Sequence, residues 1–251
     1  RQGDPGETRF FLSLEDDVMR LFGSERVMSM MNSLGIDEDT PIDAKMLSSA
    51  IENAQKTVES RNFQIRKNVL EYDNVMNTQR SVIYEQRQKV LDGEDLSSTI
   101  NGMMKYVIDS EVEDLFGAEE HLDAPEQFDP LRAKFEGIYF AKGAFCPEIS
   151  MGKEDVKQTL ENLFHETYAK REKEFGAERM REIERIILLR VVDEYWMDHI
   201  DAMDDLKQGI RLRAYGQTDP VVAYKREGYA MFDGMINAIR EETVRRLFLF
   251  R

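Results

Sequence analysis

The sequence predicts a mainly α-helical chain, and three features carry that prediction. Apolar residues recur on steps of three and four, or seven where a polar residue intervenes, at Ile51, Ala54, Val58, Ile65, Val69, Tyr72, Met76, Ile83 and Val90. No proline or glycine falls between Pro41 and Gly93. Two more stripes follow, Leu188, Val192, Tyr195/Trp196, Met203, Leu206 and Ile210, then Tyr229, Phe232, Met235/Ile236, Ile239 and Leu247.

The exception to helix comes first. Arg9-Phe10-Phe11-Leu12-Ser13-Leu14 is short, aromatic-rich and preceded by the turn Asp4-Pro5-Gly6, which predicts a strand. Ser13 or Glu15-Asp16-Asp17 then opens a helix through Leu21-Phe22 that Gly23 ends. A second short helix runs from about Ser24 to Leu34 and stops at Gly35. Beyond Pro41 the uninterrupted pattern predicts one long packing helix, about 65–70 Å at 1.5 Å per residue. Leu96 to Phe116 and Val156 to Phe175 carry helical spacing, while 117–150, with Pro125, Pro130 and Pro147, reads as loop-rich. The last two stripes flank Arg211-Leu212-Arg213-Ala214-Tyr215-Gly216-Gln217-Thr218-Asp219-Pro220. Asp219 suits an N-cap, and Pro220 suits the first helical position, where its missing N–H costs nothing. Two helices joined by a short loop make a helical hairpin.

Composition narrows the function. The 251 residues hold 34 Lys+Arg against 49 Asp+Glu, a net charge of -15. Duplex DNA binds through Lys and Arg that neutralise phosphates, so this average charge repels it. The excess acid is concentrated in 94–178, with 9 basic and 20 acidic groups, which marks a boundary on each side. Gly93 and Gly176 close segments near those boundaries. A single cysteine, Cys146, excludes an internal disulfide and a cysteine metal cluster, in keeping with a reducing cytosol. No apolar run approaches the roughly 18 residues of a membrane span. The opening Arg1-Gln2-Gly3-Asp4 reads as mid-domain sequence, so a fragment is expected.

The searched catalytic motifs are negative. Gly152-Lys153 is followed by Glu154 and lacks an upstream glycine, so it is no phosphate-cradling loop. His165-Glu166 lacks a second histidine four residues on, which breaks the zinc-protease spacing. No G-x-S-x-G elbow occurs, and Cys146 beside Pro147 has no adjacent base. Cys146 and His199 are therefore read as structural residues, and the fourteen methionines as gap-filling core.

One set of residues is more specific. Arg1-Gln2-Gly3-Asp4-Pro5-Gly6, with Arg9-Phe10-Phe11-Leu12-Ser13-Leu14-Glu15-Asp16, resembles the end of the last helicase motif in SecA, the motor ATPase of bacterial preprotein translocation. The resemblance continues through Val58-Glu59-Ser60-Arg61-Asn62-Phe63, Ile65-Arg66-Lys67, Leu70-Glu71-Tyr72-Asp73, Asn77, Gln79-Arg80 and Tyr84. It resumes at Trp196, His199, Ala202-Met203-Asp204, Leu206, Gln208-Gly209-Ile210, Leu212-Arg213, Tyr215, Gln217, Asp219-Pro220 and Tyr224-Lys225-Arg226-Glu227, and is weak only in 94–178.

The resemblance implies a domain map that meets the charge boundaries. Residues 1–43 would be the tail of a second RecA-like nucleotide-binding domain, and 44–93 the long helix of a helical scaffold. Residues 94–178 would be a helical wing inserted into that scaffold, and 179–251 a scaffold hairpin called the two-helix finger. The fold class is then mainly α, with a short strand-helix remnant of an α/β domain at its start. The implied role is in an ATP-driven motor that pushes unfolded secretory preproteins through the SecYEG channel, working with the remaining SecA domains and, peripherally, an anionic inner-membrane surface. That places it in the bacterial cytoplasm and on the cytoplasmic face of the membrane, with a homodimer left open and no nucleic acid as partner. ATP and Mg would belong to the full-length protein. The fragment would hold no cofactor and no metal, and would not hydrolyse ATP alone.

Site residues carried by the resemblance are few. Arg1 aligns with the last arginine of the family's Gly-Arg-x-Gly-Arg motif, and its guanidinium would stabilise charge on the γ-phosphoryl group at an interface of two RecA-like domains. Tyr215 aligns with the finger-tip residue that contacts translocating polypeptide. An aromatic there can press on any sequence by apolar contact without reading it. Arg211 and Arg213 flank it and are expected to share the polypeptide contact, and with Lys207, Lys225 and Arg226 against Asp219 they give 207–226 a local charge of +4. The family usually shows Gly-Tyr-Ala here, whereas this chain has Ala214-Tyr215-Gly216. Two other readings stand beside this one, a nucleic-acid helicase fragment and a helical scaffold without a motor role. The net charge and the lack of a basic stripe in 1–93 weigh against the first.

Overall fold

The structure is a computed structural model that describes residues 3, 5–7, 16, 45–93, 95–148, 151–213 and 219–250. The strand expected at Arg9–Leu14 and the two short helices after it lie outside the described residues. What is described is mainly helix, as the periodicity predicts. In order come α1 (Lys45–Leu91), α2 (Ser97–Phe116), a 3-10 turn (Pro125–Phe128), α3 (Asp129–Phe135), α4 (Lys153–Phe175), α5 (Ala177–Arg213) and α6 (Pro220–Leu249). The chain divides into two compact units, Arg1–Asp73 and Asn74–Arg251, and α1 contributes residues to both.

Within the first unit, α1 buries Ala54 and Tyr72. Ile65 and Val69, expected on the packed stripe, are instead 54% and 41% exposed, as Phe63 and Leu70 also are. A helical period aligns side chains on one face, but burial needs a partner, and among the described residues none covers that stretch.

The second unit has one continuous core. From Asn74 onward the buried face of α1 is Val75, Gln79, Ile83 and Val90. Gly93, at φ 83°, turns the chain away from the helix end, a conformation that glycine adopts without steric cost. Helices α5 and α6 pack antiparallel as the expected hairpin, and α2 lies against both α4 and α6. The described residues 117–148 are loop-rich as expected, broken by the 3-10 turn and α3, and Pro125 and Pro130 lie in the first turns of these two short helices. Glu136 pairs with Phe140 in the one β-bridge among the described residues, and the Glu136 carboxylate accepts from the Gly143 N–H at 3.0 Å.

Aromatic rings fasten this irregular region to the hairpin. Phe248 near the end of α6 lies 5.3 Å from the Tyr139 ring, 5.3 Å from Phe164 and 6.4 Å from Tyr168. Phe135 and Phe164 meet edge to face at 5.5 Å beside them.

A charged cluster fastens the other end. Arg181, one turn into α5, donates to Ser97 Oγ at the start of α2, to Tyr168 Oη at 3.2 Å and to Glu172 Oε1 at 2.7 Å on α4. Glu184 lies beneath it with a fully buried side chain, 3.1 Å from the guanidinium but without a hydrogen bond to either carboxylate oxygen. Burial pushes its carboxyl up to about 7; Asp95 adds to the rise and Arg185 opposes it. Gly176, at φ 86°, is the sole residue between α4 and α5.

Candidate functional site

The hairpin is built to present its loop. Asp219 Oδ1 accepts from the Val221 N–H at 2.8 Å, satisfying a first-turn donor that the helix itself leaves unpaired, and Pro220 occupies the first helical position. With α5 ending at Arg213 and α6 starting at Pro220, only six residues connect the two helices. Tyr215 is among them and lies outside the described residues, as does Arg1. Of Arg211 and Arg213 only the backbone, in the last turn of α5, is described.

The hairpin body is apolar on both helices. Val192, Trp196, Met203 and Ile210 of α5 are buried, as are Met235, Ile239 and Leu247 of α6. Tyr229, counted on the second stripe from its spacing, is 47% exposed. The position before it, Gly228, is the buried one.

Gly228 marks where three helices meet. A Cβ there would lie 2.8 Å from Met203 Cε on α5 and 3.7 Å from Val75 Cγ1 on α1. The bare backbone leaves its carbonyl open to a side chain, and Gln79 Nε2 of α1 donates to it at 3.0 Å. With the amide nitrogen so engaged, Gln79 Oε1 accepts from His199 Nε2 of α5 at 2.9 Å. That bond assigns the histidine proton to Nε2. Gln79 is 1% and His199 5% exposed, and burial lowers the His199 pKa, which keeps the ring neutral near pH 7. Trp196 and Phe232 each lie 5.7 Å from the imidazole.

His199 thus has the structural role expected of it, although its partner was not anticipated. A signal existed: Gln79 and His199 each interrupt an apolar stripe at helical spacing, and two such interruptions on helices that pack together form a natural pair. Cys146 is exposed and donates to the Gly143 carbonyl at 3.4 Å.

Two helices start after a glycine, α4 after Gly152 and α5 after Gly176, and both first turns carry acids, Glu154 and Asp155 in one and Glu178 in the other. Carboxylates there take the place a phosphate would need. Among the described residues no group of His, Cys, Asp and Glu is arranged to hold a metal, and no helix is long and apolar enough to cross a membrane.

Comparison with known proteins gives a consistent result. Residues 41–251 match the family model of the SecA wing and scaffold domain, and residues 1–39 that of the SecA P-loop domain. The protein translocase subunit SecA of Acetivibrio thermocellus is 53% identical over 249 residues, covering 98% of this chain and 27% of that protein. Its counterpart from Heliobacterium modesticaldum is 49% identical over 251 residues, covering 99% and 29%. That of Carboxydothermus hydrogenoformans is 50% identical over 255 residues, covering 98% and 28%. The chain therefore spans less than a third of the length of these relatives.

Proposed function

Because the chain belongs to the SecA family, which it matches through the wing and scaffold domain over residues 41–251, we propose that it forms part of an ATP-driven motor pushing unfolded secretory preproteins through the SecYEG channel. In that role residues 1–43 are the tail of a nucleotide-binding domain, 44–93 the scaffold helix, 94–178 the wing and 179–251 the two-helix finger. The observation that carries the reading is the hairpin: two long antiparallel helices, packed along their apolar faces, with six residues between them that include Tyr215.

The chemistry asked of these residues is contact rather than catalysis. Tyr215, between the two packed helices in sequence, can press on a passing chain through its ring whatever the local sequence. Arg211 and Arg213 add positive charge beside it, suited to acidic groups on the channel. ATP and Mg belong to the full-length protein, where Arg1 is placed to stabilise charge on the γ-phosphoryl group. The residues of this chain alone neither bind nor hydrolyse ATP. The site of action is the bacterial cytoplasm and, peripherally, the cytoplasmic face of the membrane.

The test is Tyr215→Ala in the full-length protein, with transport of a secretory precursor into membrane vesicles measured beside ATP turnover. Transport is expected to fall about tenfold, the effect of roughly 1.4 kcal/mol of lost contact, while basal ATP turnover persists. Tyr215→Phe keeps transport if the ring face makes the contact. Equal loss of both activities in Tyr215→Ala, or undiminished transport, refutes the assignment.

A further inference from the structure

The polar link at the three-helix crossing has no part in the contact just described, yet it lies close to the loop that makes that contact. Met203 precedes Arg213 by ten residues, and Gly228 follows Pro220 by eight. At 1.5 Å per residue the crossing sits about 12–15 Å along the hairpin from the loop.

Apolar faces of helices tolerate sliding, because ridges and grooves repeat along the axis. A side-chain amide used at both ends does not. Gln79 Nε2 donates to the Gly228 carbonyl of α6, and Gln79 Oε1 accepts from His199 Nε2 of α5. Moving α1 by one residue, a rise of about 1.5 Å and a rotation of about 100°, breaks both bonds at once. It carries the amide off the crossing and leaves the buried imidazole N–H without its partner, and a buried unpaired polar group is penalised far more than a made bond is rewarded. A single buried polar contact that fixes register is the best-attested use of such groups in packed helices. Gly228 suits the arrangement, since a Cβ there would lie 2.8 Å from Met203 Cε and force that side-chain end to shift beside the carbonyl that Gln79 reaches, while Val75 Cγ1 at 3.7 Å would stay in ordinary contact.

We propose that Gln79 is a positioning residue for the Tyr215 loop, with His199 and the Gly228 carbonyl as its two anchors. Its amide sets the height of α1 against both hairpin helices, and so the height at which the loop is presented. This rests on the reading of that loop as the polypeptide contact.

The test uses the full-length protein and measures precursor transported per ATP hydrolysed, together with the thermal midpoint. Gln79→Leu keeps a branched side chain of similar bulk, one atom shorter, and removes both bonds, and is expected to lower the transport-per-ATP ratio at least fivefold at temperatures where the variant is folded. His199→Gln restores an amide donor near the position of Nε2 and is expected to keep the ratio within twofold, whereas His199→Leu lowers it as Gln79→Leu does. Ile83→Ala, a core truncation on the same helix, is expected to lower the midpoint without changing the ratio. Should Gln79→Leu fail to fold, the two His199 variants decide, and equal ratios for them overturn the proposal. Equal falls in the ratio for Gln79→Leu and Ile83→Ala also overturn it. An unchanged ratio in Gln79→Leu while Tyr215→Ala abolishes transport defeats the positioning role alone. An unchanged ratio in Tyr215→Ala defeats the reading of the loop, and the positioning role with it.

Discussion

Replacing Phe248 with alanine is expected to detach the wing from the end of α6. The ring is 2% exposed and meets Tyr139, Phe164 and Tyr168, so its removal takes one side of an aromatic cluster whose other members come from α4 and from the turn after α3. Truncation of a buried phenylalanine to alanine costs about 3–5 kcal/mol, because transfer and cavity contributions add. For a chain of this size each kcal/mol moves the thermal midpoint by roughly 2–4 °C, so a fall of roughly 6–20 °C is expected. The assay is thermal unfolding followed by circular dichroism, with the near-ultraviolet signal reporting loss of fixed packing around the rings. Phe63→Ala, on a side chain 68% exposed, serves as the matched control and is expected to change stability by no more than about 0.5 kcal/mol. A loss below about 1 kcal/mol for Phe248→Ala would refute the idea that this ring fastens the wing.

Glu184→Gln tests the buried carboxylate. Its pKa is raised in the fold, so the folded state holds the proton more tightly than the unfolded one, and the penalty of ionising it is absent below pH 4.5, grows through about pH 7 and is constant above. The glutamine variant is therefore expected to match the parent near pH 4.5 and to exceed it by ~1–2 kcal/mol at pH 8, a figure discounted for the Arg181 ion pair and for solvent screening. A stability difference that does not vary with pH rules this out. Asn68→Pro, in the interior of α1, removes a backbone donor and clashes one turn back at a cost of ~3 kcal/mol or more; unchanged far-ultraviolet dichroism and melting would contradict an unbroken helix from Lys45 to Leu91. Asp219→Ala removes the cap of α6 and is expected to cost about 1 kcal/mol in denaturant unfolding, an expectation that an unmoved midpoint would end.

The sequence made the backbone architecture readable wherever local signals decide it. A helix free of proline and glycine from 45 to 91, a hairpin with an Asp-Pro start and glycines at 93 and 176 are all written in nearest-neighbour chemistry. Ile65 and Val69 show where that reading stops, since their period places them on a face but cannot say whether anything covers it. Gln79 and His199 each show in the sequence as an interruption of an apolar stripe, but that they meet does not, because the Gln79–His199, Gln79–Gly228 and Arg181–Ser97 contacts join residues 84 or more positions apart and one of them uses a carbonyl that any residue type carries. The expected site residues Arg1, Tyr215, Arg211 and Arg213 rest on family likeness, and periodicity alone picks out none of them.

The Arg181 cluster has a consequence for how such a protein can change over time. The guanidinium touches Ser97 and lies 3.7 Å from Asp95, and Arg185 Nη1 approaches within 3.6 Å of where a Cβ on Gly93 would sit. The chain therefore leaves the end of α1 and returns to the start of α5 within the reach of neighbouring arginine side chains, with about eighty residues between. Lengthening a loop whose ends are already neighbours costs little, only about 0.6 kcal/mol for each doubling. The stretch between α2 and α4 can accordingly gain or lose turns without altering the gap that α1 and α5 must span. Innovation is cheap in that appendage and dear in the three helices beneath it, where one residue of slippage breaks the register.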